Sequence, residues 1–163
     1  MRWHGRLVPF DGIEFDDALR WIDGANDVAF LTMDLAERGH AGLARAALQG
    51  WLDELGDFEA LALLPYYEAC RALVRAKVAR LRVLLSGTYA APREAHAQVA
   101  SYLAWAGRRL EPRRPLLVLT CGFSGSGKTW LADRVARERG LLHVRSDVER
   151  KRLAGLGPLD DSR

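Results

Sequence analysis

The sequence has little cysteine and no long apolar run, and these shortages exclude two classes of protein. Two cysteines among 163 residues, Cys70 and Cys121, cannot build the disulfide framework of a small secreted domain. No apolar stretch approaches the roughly 20 residues that a membrane-spanning helix needs. The N-terminus lacks the apolar segment typical of a secretory signal. We therefore expect a cytoplasmic protein without a membrane partner.

The chain also lacks a large excess of charge of one sign. The 24 basic residues nearly balance 21 acidic ones, which leaves a formal net charge of +3. A nucleic-acid-binding protein usually gathers a basic excess on one face, so we expect no nucleic-acid partner. The four histidines show no metal-ligand spacing with the cysteines. Arginines gather within residues 71–82 and 108–114, which indicates solvated surface, with binding of an anionic ligand as the alternative.

The sequence does have helical periodicity and enough apolar residues, 49 %, for a core. Residues 3–15 predict a short β-hairpin with an edge-like second strand, because Pro9 lacks a backbone N–H. Apolar residues at i, i+3 and i+4 then predict four helices. These cover about residues 25–38, 41–55, 58–85 and 92–110. In the third, the residues that keep this spacing, and so predict the face towards the core, are Cys70, Leu73, Val74, Val78, Leu81 and Leu85.

The most informative stretch is residues 122–129, Gly-Phe-Ser-Gly-Ser-Gly-Lys-Thr, a G-x-x-x-x-G-K-[ST] phosphate-binding loop. It follows an apolar run at 116–121, predicted as a buried parallel strand, and opens a helix over about 128–139. Glycines let the backbone lie close to a ligand, so that loop N–H groups and the helix N-terminus can hold a phosphate. The predicted nucleotide-binding residues are Gly122, Ser124, Gly125, Ser126, Gly127, Lys128 and Thr129.

Two of these residues have specific expected roles in binding ATP·Mg²⁺. Lys128 supplies a positive charge for the β- and γ-phosphates, and Thr129 offers its hydroxyl to Mg²⁺. The alternative is a glycine-rich turn between a strand and a helix, without a ligand.

A second strand is predicted over 141–145, followed by a helix that Ser146 and Glu149 begin as a capping box. Asp147 should then share the sheet edge with the phosphate loop. There it could accept a proton from a substrate hydroxyl, while Arg150, one turn along, could hold a phosphate or the substrate. The alternative is an acidic residue that suits a helix's first turn and an arginine on the surface.

Residues 115–153 resemble the small P-loop kinases, a group that includes gluconate kinase, zeta-toxin and polynucleotide kinase types. The likeness lies in Cys-Gly-Phe-Ser-Gly-Ser-Gly-Lys-Thr-Trp-Leu-Ala followed by Val-Arg-Ser-Asp-Val-Glu-Arg. The resemblance implies that Asp147 and Arg150 contact the phosphate acceptor.

The N-terminal part resembles the C-terminal lobe of an aminoglycoside-phosphotransferase-like kinase domain. The similar segments are 10–15, 20–23 and 27–31. The resemblance implies that Asp11 is the metal-binding aspartate and that Asp27 braces the catalytic loop; from the residues alone, Asp11 is a turn residue and Asp27 a solvent-facing one. The order of the two parts is similar to that of bacterial proteins described as bifunctional aminoglycoside-phosphotransferase/ATP-binding proteins.

The sequence also departs from both families. No His-Gly-Asp run precedes Asp11, and no Walker-B-type carboxylate or arginine-bearing lid follows Asp147. The chain therefore looks truncated at both ends. We expect an incomplete form that binds nucleotide phosphate, is inactive when isolated, and depends on a missing domain or a partner chain for full activity.

These observations predict an α+β part followed by an α/β part. Residues 1–110 would form a mostly helical, C-lobe-like bundle with a small N-terminal β-hairpin, and residues 111–115 a linker. Residues 116–163 would form a partial P-loop kinase domain, arranged strand–loop–helix–strand–helix. The expected function is ATP- and Mg²⁺-dependent phosphoryl transfer to a small hydroxyl-bearing acceptor. The alternative is a helical protein-interaction module with a vestigial P-loop and no turnover.

Overall fold

The computed structural model describes residues 2–3, 6–7, 17–85, 93–112, 114–157 and 160, and most of these residues are helical. Strands β1 (Arg2–Trp3) and β2 (Arg6–Leu7) pair antiparallel over two residues each. A 3₁₀ helix spans Glu59–Ala62. The α-helices are α1 (Asp17–Arg20), α2 (Gly24–Glu37), α3 (Ala41–Leu55), α4 (Leu64–Leu85), α5 (Arg93–Leu110), α6 (Lys128–Arg139) and α7 (Ser146–Leu153).

The predicted helices are confirmed, except that the third begins at Leu64, after the 3₁₀ helix, and not near residue 58. Local sequence explains where several of them begin and end. The carboxylate of Asp23 accepts a hydrogen bond of 2.9 Å from the backbone N–H of Ala25 and so caps the start of α2. Helices α3 and α6 both end at a glycine in the left-handed conformation, Gly56 and Gly140. Pro65 lies in the first turn of α4, where its missing N–H is tolerated.

Small residues, rather than the larger aliphatic ones, form the buried face of α4. Its buried positions include Ala69, Ala72, Ala76 and Ala79, and the expectation that Leu73 and Val74 face the core is wrong, because these side chains are 48 % and 49 % exposed. Alanine lets neighbouring helices approach closely. The main core therefore joins α2, α4 and α5 around this alanine stripe, together with Met33, Tyr102 and Ala106.

A buried carboxylate ties the same three helices together. Glu68 on α4 is only 4 % exposed, and one of its oxygens accepts a 2.6 Å hydrogen bond from the hydroxyl of Thr32 on α2. Its other oxygen accepts from the guanidinium of Arg109 on α5, with which it forms an ion pair. A buried charge is tolerated when it is paired and hydrogen-bonded in this way.

The predicted fold class is wrong for the C-terminal part of the chain. Over the described residues 114–127 and 140–145 no strand forms, so the expected strand–loop–helix–strand–helix sheet is not present there. The apolar run at 116–121 lies on the surface, with Leu117 82 % and Leu119 81 % exposed. A pair of parallel strands alone buries too little surface to be stable, which explains why local apolar character does not produce a sheet here.

The predicted N-terminal β-hairpin over residues 3–15 is also wrong as a structural element of the described chain. The described part of it amounts to the pairs Arg2–Leu7 and Trp3–Arg6, and residues 8–16 lie outside the described part of the chain. Two residues a strand do not make a sheet on which another layer could pack. The described fold is therefore a helical one, not the α+β and α/β combination that the sequence predicts.

The segment after α6 is attached to α3 by a side-chain amide in place of a neighbouring strand. The Gln49 side chain donates to the backbone carbonyl of His143 at 2.9 Å, and the His143 N–H donates to the Gln49 Oε1 at 2.8 Å. Farther along, the Arg152 guanidinium donates to the backbone carbonyl of Asp53. These contacts position α7 and the end of α6 against the helical part.

Among the described helices, none combines the length and the apolar composition that a membrane span requires. The division into domains at residues 110 and 116 stays a prediction.

We expect Arg109→Met to destabilise the protein by about 3 kcal/mol, because it leaves the buried Glu68 carboxylate without its charge partner. The double substitution Glu68→Met, Arg109→Met should recover most of that loss, since the hydroxyl of Thr32 keeps its second acceptor, the carbonyl of Ala29. Urea denaturation of the three proteins measures both effects. A double variant as unstable as the single one would contradict this role of the ion pair.

We expect Gln49→Ala to weaken the attachment of the 141–145 segment by about 1–3 kcal/mol, because two hydrogen bonds to His143 are lost. Hydrogen exchange at the His143 amide should become faster by about tenfold or more. Gln98→Ala, at an exposed position of α5, is the matched control. Equal exchange rates in both variants would show that Gln49 does not hold this segment.

Candidate functional site

The phosphate-loop motif adopts a backbone that requires glycine. Gly122, Gly125 and Gly127 have φ values of +150°, +76° and +80°. A Cβ on Gly122 would lie 3.1 Å from the hydroxyl oxygen of Ser126, so a side chain there would also require the Ser126 side chain to shift. The sequence predicted this use of glycine, and the positive φ values confirm it.

Helix α6 presents an uncapped N-terminus to the loop. Its N-cap residue is Gly127, in the left-handed conformation, and no side chain caps the first turn. The first N–H groups of a helix have no acceptor within the helix, and they carry the positive end of its dipole. The first turn of α6 therefore keeps backbone donors available for an anion.

Lys128, the first residue of α6, folds back over the loop. Its ammonium donates to the carbonyl of Gly122 at 2.9 Å and to that of Phe123 at 2.5 Å. Ser124, Ser126 and Thr129 are all exposed beside it. The ammonium and the free N–H groups of α6 thus lie on one short, open segment, which fits the binding of a phosphate.

Of the two predicted metal ligands, Thr129 and Asp11, the described residues include only Thr129. Thr129 occupies the second position of α6 and is exposed, so its hydroxyl is accessible to a cation. Asp11 lies outside the described residues. Within the described part of the chain, no group of three or more histidine, cysteine, aspartate or glutamate side chains could hold a metal ion. A Mg²⁺ ion at this loop would therefore rely on oxygen atoms of the nucleotide as well.

Asp147, the predicted base, is held by an arginine that the sequence analysis did not single out. The Arg145 guanidinium donates to both carboxylate oxygens of Asp147, at 3.3 and 2.7 Å. This hydrogen bonding and the positive charge hold the pKa of Asp147 below its usual value. Asp147 therefore carries a full negative charge at neutral pH. The Arg-x-Asp spacing of Arg145 and Asp147 is the sequence feature from which this ion pair could have been predicted.

Helix α7 begins at Ser146, as predicted, but the side chains at its start do not make the expected contacts. The N-cap of α7 is Arg145 and no side chain caps it, so the expected capping box is wrong. Glu149 pairs with Arg152 at 2.8 Å instead. Arg150 donates to the backbone carbonyl of Ser146 at 3.3 Å. No hydrogen bond or ion pair among the described residues joins Asp147 or Arg150 to the phosphate loop.

Comparison with known families supports the interpretation of the loop. Residues 117–163 match the family described as "AAA domain", and this match indicates a P-loop, kinase-like segment that uses a nucleotide and, in general, a metal ion. The match does not cover residues 1–116, so their resemblance to the phosphotransferases stays a prediction. No solved structure matches the chain significantly.

The chain is similar to uncharacterized proteins of mycobacteria. Proteins of Mycobacterium tuberculosis and of Mycobacterium bovis are each 37 % identical to it over 153 residues, which cover 94 % of this chain. The chain spans about 30 % of the length of these relatives. Together with the family match and the loop geometry, the comparisons support a nucleotide-binding, kinase-like function for the C-terminal segment.

Proposed function

We propose that the chain binds ATP with Mg²⁺ through residues 122–129, and that it contributes this site to phosphoryl transfer onto a small hydroxyl-bearing acceptor. The observation that carries the proposal is the uncapped start of α6 behind a left-handed Gly127, with Lys128 beside it. A helix N-terminus with free N–H groups and a nearby ammonium is well suited to hold adjacent phosphates.

Each residue of the loop has a definite task in this proposal. The N–H groups that begin α6 donate to phosphate oxygens, and Lys128 exchanges its bonds to the carbonyls of Gly122 and Phe123 for phosphate oxygens. The Thr129 hydroxyl would hold Mg²⁺ together with those oxygens. When bound, the nucleotide supplies the transferable γ-phosphoryl group.

Asp147 is suited to orient an acceptor rather than to act as a strong base. Its carboxylate is charged at neutral pH and bound by Arg145, and a depressed pKa weakens its affinity for a proton. A carboxylate in this state can accept a hydrogen bond from a hydroxyl and direct it towards a phosphoryl group. Arg150, three residues along α7, is the proposed contact for a charged part of the acceptor.

A helical protein-interaction module without turnover is the second candidate. The exposed apolar run before the loop favours it, because Leu116, Leu117 and Leu119 are 72 %, 82 % and 81 % exposed. Apolar surface of this kind marks an interaction site or a surface that another chain covers. The two candidates differ in whether the loop binds a nucleotide.

We expect Lys128→Ala to weaken binding of ATP·Mg²⁺ by at least about tenfold, because one charge-assisted interaction with the phosphates is lost. Isothermal titration calorimetry measures the dissociation constant. Lys77→Ala, at an exposed position of α4, is the matched control and should bind as the unsubstituted chain does.

Equal binding by both lysine variants would place the nucleotide elsewhere and overturn this proposal. If the folded, unsubstituted chain does not bind ATP·Mg²⁺ at all, the interaction module becomes the better account.

We expect Arg145→Met to raise the pKa of Asp147 back towards its usual value, because the hydrogen bond that lowers it is removed. A pKa lowered in the folded state stabilises the protein above the unfolded pKa, and this contribution is lost as pH falls below about 4. Carboxyl ¹³C NMR of Asp147 follows the titration directly. An unchanged midpoint in the variant would show that Arg145 does not set the charge of Asp147.

A further inference from the structure

A cleft of about 670 Å³ lies inside the helical part, away from the phosphate loop. Helices α2, α3, α4 and α5 all contribute to its walls, and Gly140 and Leu142 after α6 close one side. Clefts of this volume with apolar walls and a few polar groups are typical of small-molecule sites. Neither the nucleotide nor its acceptor has been assigned to this cleft.

Arg45 on α3 gives the cleft an unused hydrogen-bond donor. Its Nε atom is buried and has no hydrogen-bond partner among the described residues. Buried polar atoms in proteins are nearly always paired, by protein groups or by ordered water, so the Arg45 Nε–H is a donor that a group bound beside Arg45 in the cleft can satisfy. An arginine is always charged, so the natural acceptor is an anion.

The carboxylates that line the cleft do not accept a hydrogen bond from the Arg45 Nε–H. Glu37 accepts a 2.8 Å hydrogen bond from the Ser101 hydroxyl. Both oxygens of Glu68 are taken, by Thr32 and by Arg109. Arg108, which also lines the cleft, forms no ion pair with another described residue. Arg45, Arg108 and Arg109 thus stand against the carboxylates of Glu37 and Glu68, which leaves the cleft with a formal excess of one positive charge.

The rest of the wall is apolar and includes an aromatic ring. Leu48, Leu61, Leu64 and Leu142 face the cleft together with Trp105, which is half-buried. Inorganic phosphate would leave these groups uncovered, whereas an organic anion with an apolar or aromatic body would contact them. The walls thus select for both a charge and a hydrophobic part.

We propose that the cleft binds a small organic oxyanion, a carboxylate or a phosphate ester with an apolar or aromatic body. Arg45 and Arg108 bind the oxyanion, and the leucines and Trp105 contact the body. The site does not depend on the nucleotide loop. It would make the helical part a ligand-binding unit attached to the nucleotide-binding segment through Gly140 and Leu142.

Phenyl phosphate and benzoate are suitable probes, since they carry the two kinds of oxyanion on the same aromatic ring. ¹⁵N NMR of arginine Nε–H groups, feasible for a chain of 18.2 kDa, reports on Arg45 directly. We expect at least one probe to shift the Arg45 Nε–H resonance in the unsubstituted chain. A shift with phenyl phosphate alone would identify a phosphate ester as the ligand class, and a shift with benzoate a carboxylate.

Three variants give the site its controls. Arg45→Met removes the reporter resonance, so binding to the variants is measured by titration calorimetry, and this variant should bind the active probe about tenfold or more weakly, because a charged hydrogen bond is lost. Arg82→Met, an exposed arginine of α4 outside the cleft, and Lys128→Ala, in the phosphate loop, should leave binding of the probe unchanged. If Lys128→Ala abolishes binding, the probe occupies the loop instead and the cleft proposal is wrong. It is also wrong if neither probe at millimolar concentration shifts the Arg45 resonance.

Discussion

The helical part depends on one buried charge. The Glu68 carboxylate lies near the start of α4 on its buried face, where water cannot solvate it, so it must be paired from the neighbouring helices. Thr32 on α2 and Arg109 on α5 supply that pairing. Apolar contacts alone would allow α4 to slide or rotate along its alanine stripe, whereas a buried carboxylate with fixed partners specifies one arrangement of the three helices.

This arrangement reaches the nucleotide-binding segment through α3. Leu48 and Trp51 of α3 pack against the second core cluster, formed by Val28, Ala29 and Leu64. The same helix carries Gln49, whose amide pairs with the backbone of His143. The position of α6 and α7 therefore follows from the packing of α2 and α4, although the phosphate loop itself is shaped by its own glycines.

The sequence predicts well what is decided locally. The bounds of α3 and α6 follow from apolar spacing and a terminal glycine, and the loop from the fixed order of glycine, lysine and threonine. Prediction from the sequence fails where contacts between residues far apart in the chain determine the structure. The apolar run at 116–121 has strand composition, but a strand also needs a neighbour with which to pair, and none is present among the described residues.

The same limit applies to single side chains. Periodicity could not show that α4 buries alanine rather than leucine, because both residues recur at helical spacing. Nothing in the sequence marks Gln49 as the partner of a backbone 94 residues away. Ser146 and Glu149 had the spacing of a capping box, but Glu149 pairs with Arg152, a competing partner of opposite charge one turn along α7.

The central claim is that the segment 122–129 holds nucleotide phosphates with its own backbone in the conformation described here. Hydrogen exchange of the amides of residues 125–130, measured with and without ATP·Mg²⁺, tests this claim most directly. We expect ATP·Mg²⁺ to slow exchange in this segment, because these N–H groups then donate to phosphate oxygens. Unchanged exchange there, at a concentration where the chain binds the nucleotide, would contradict it.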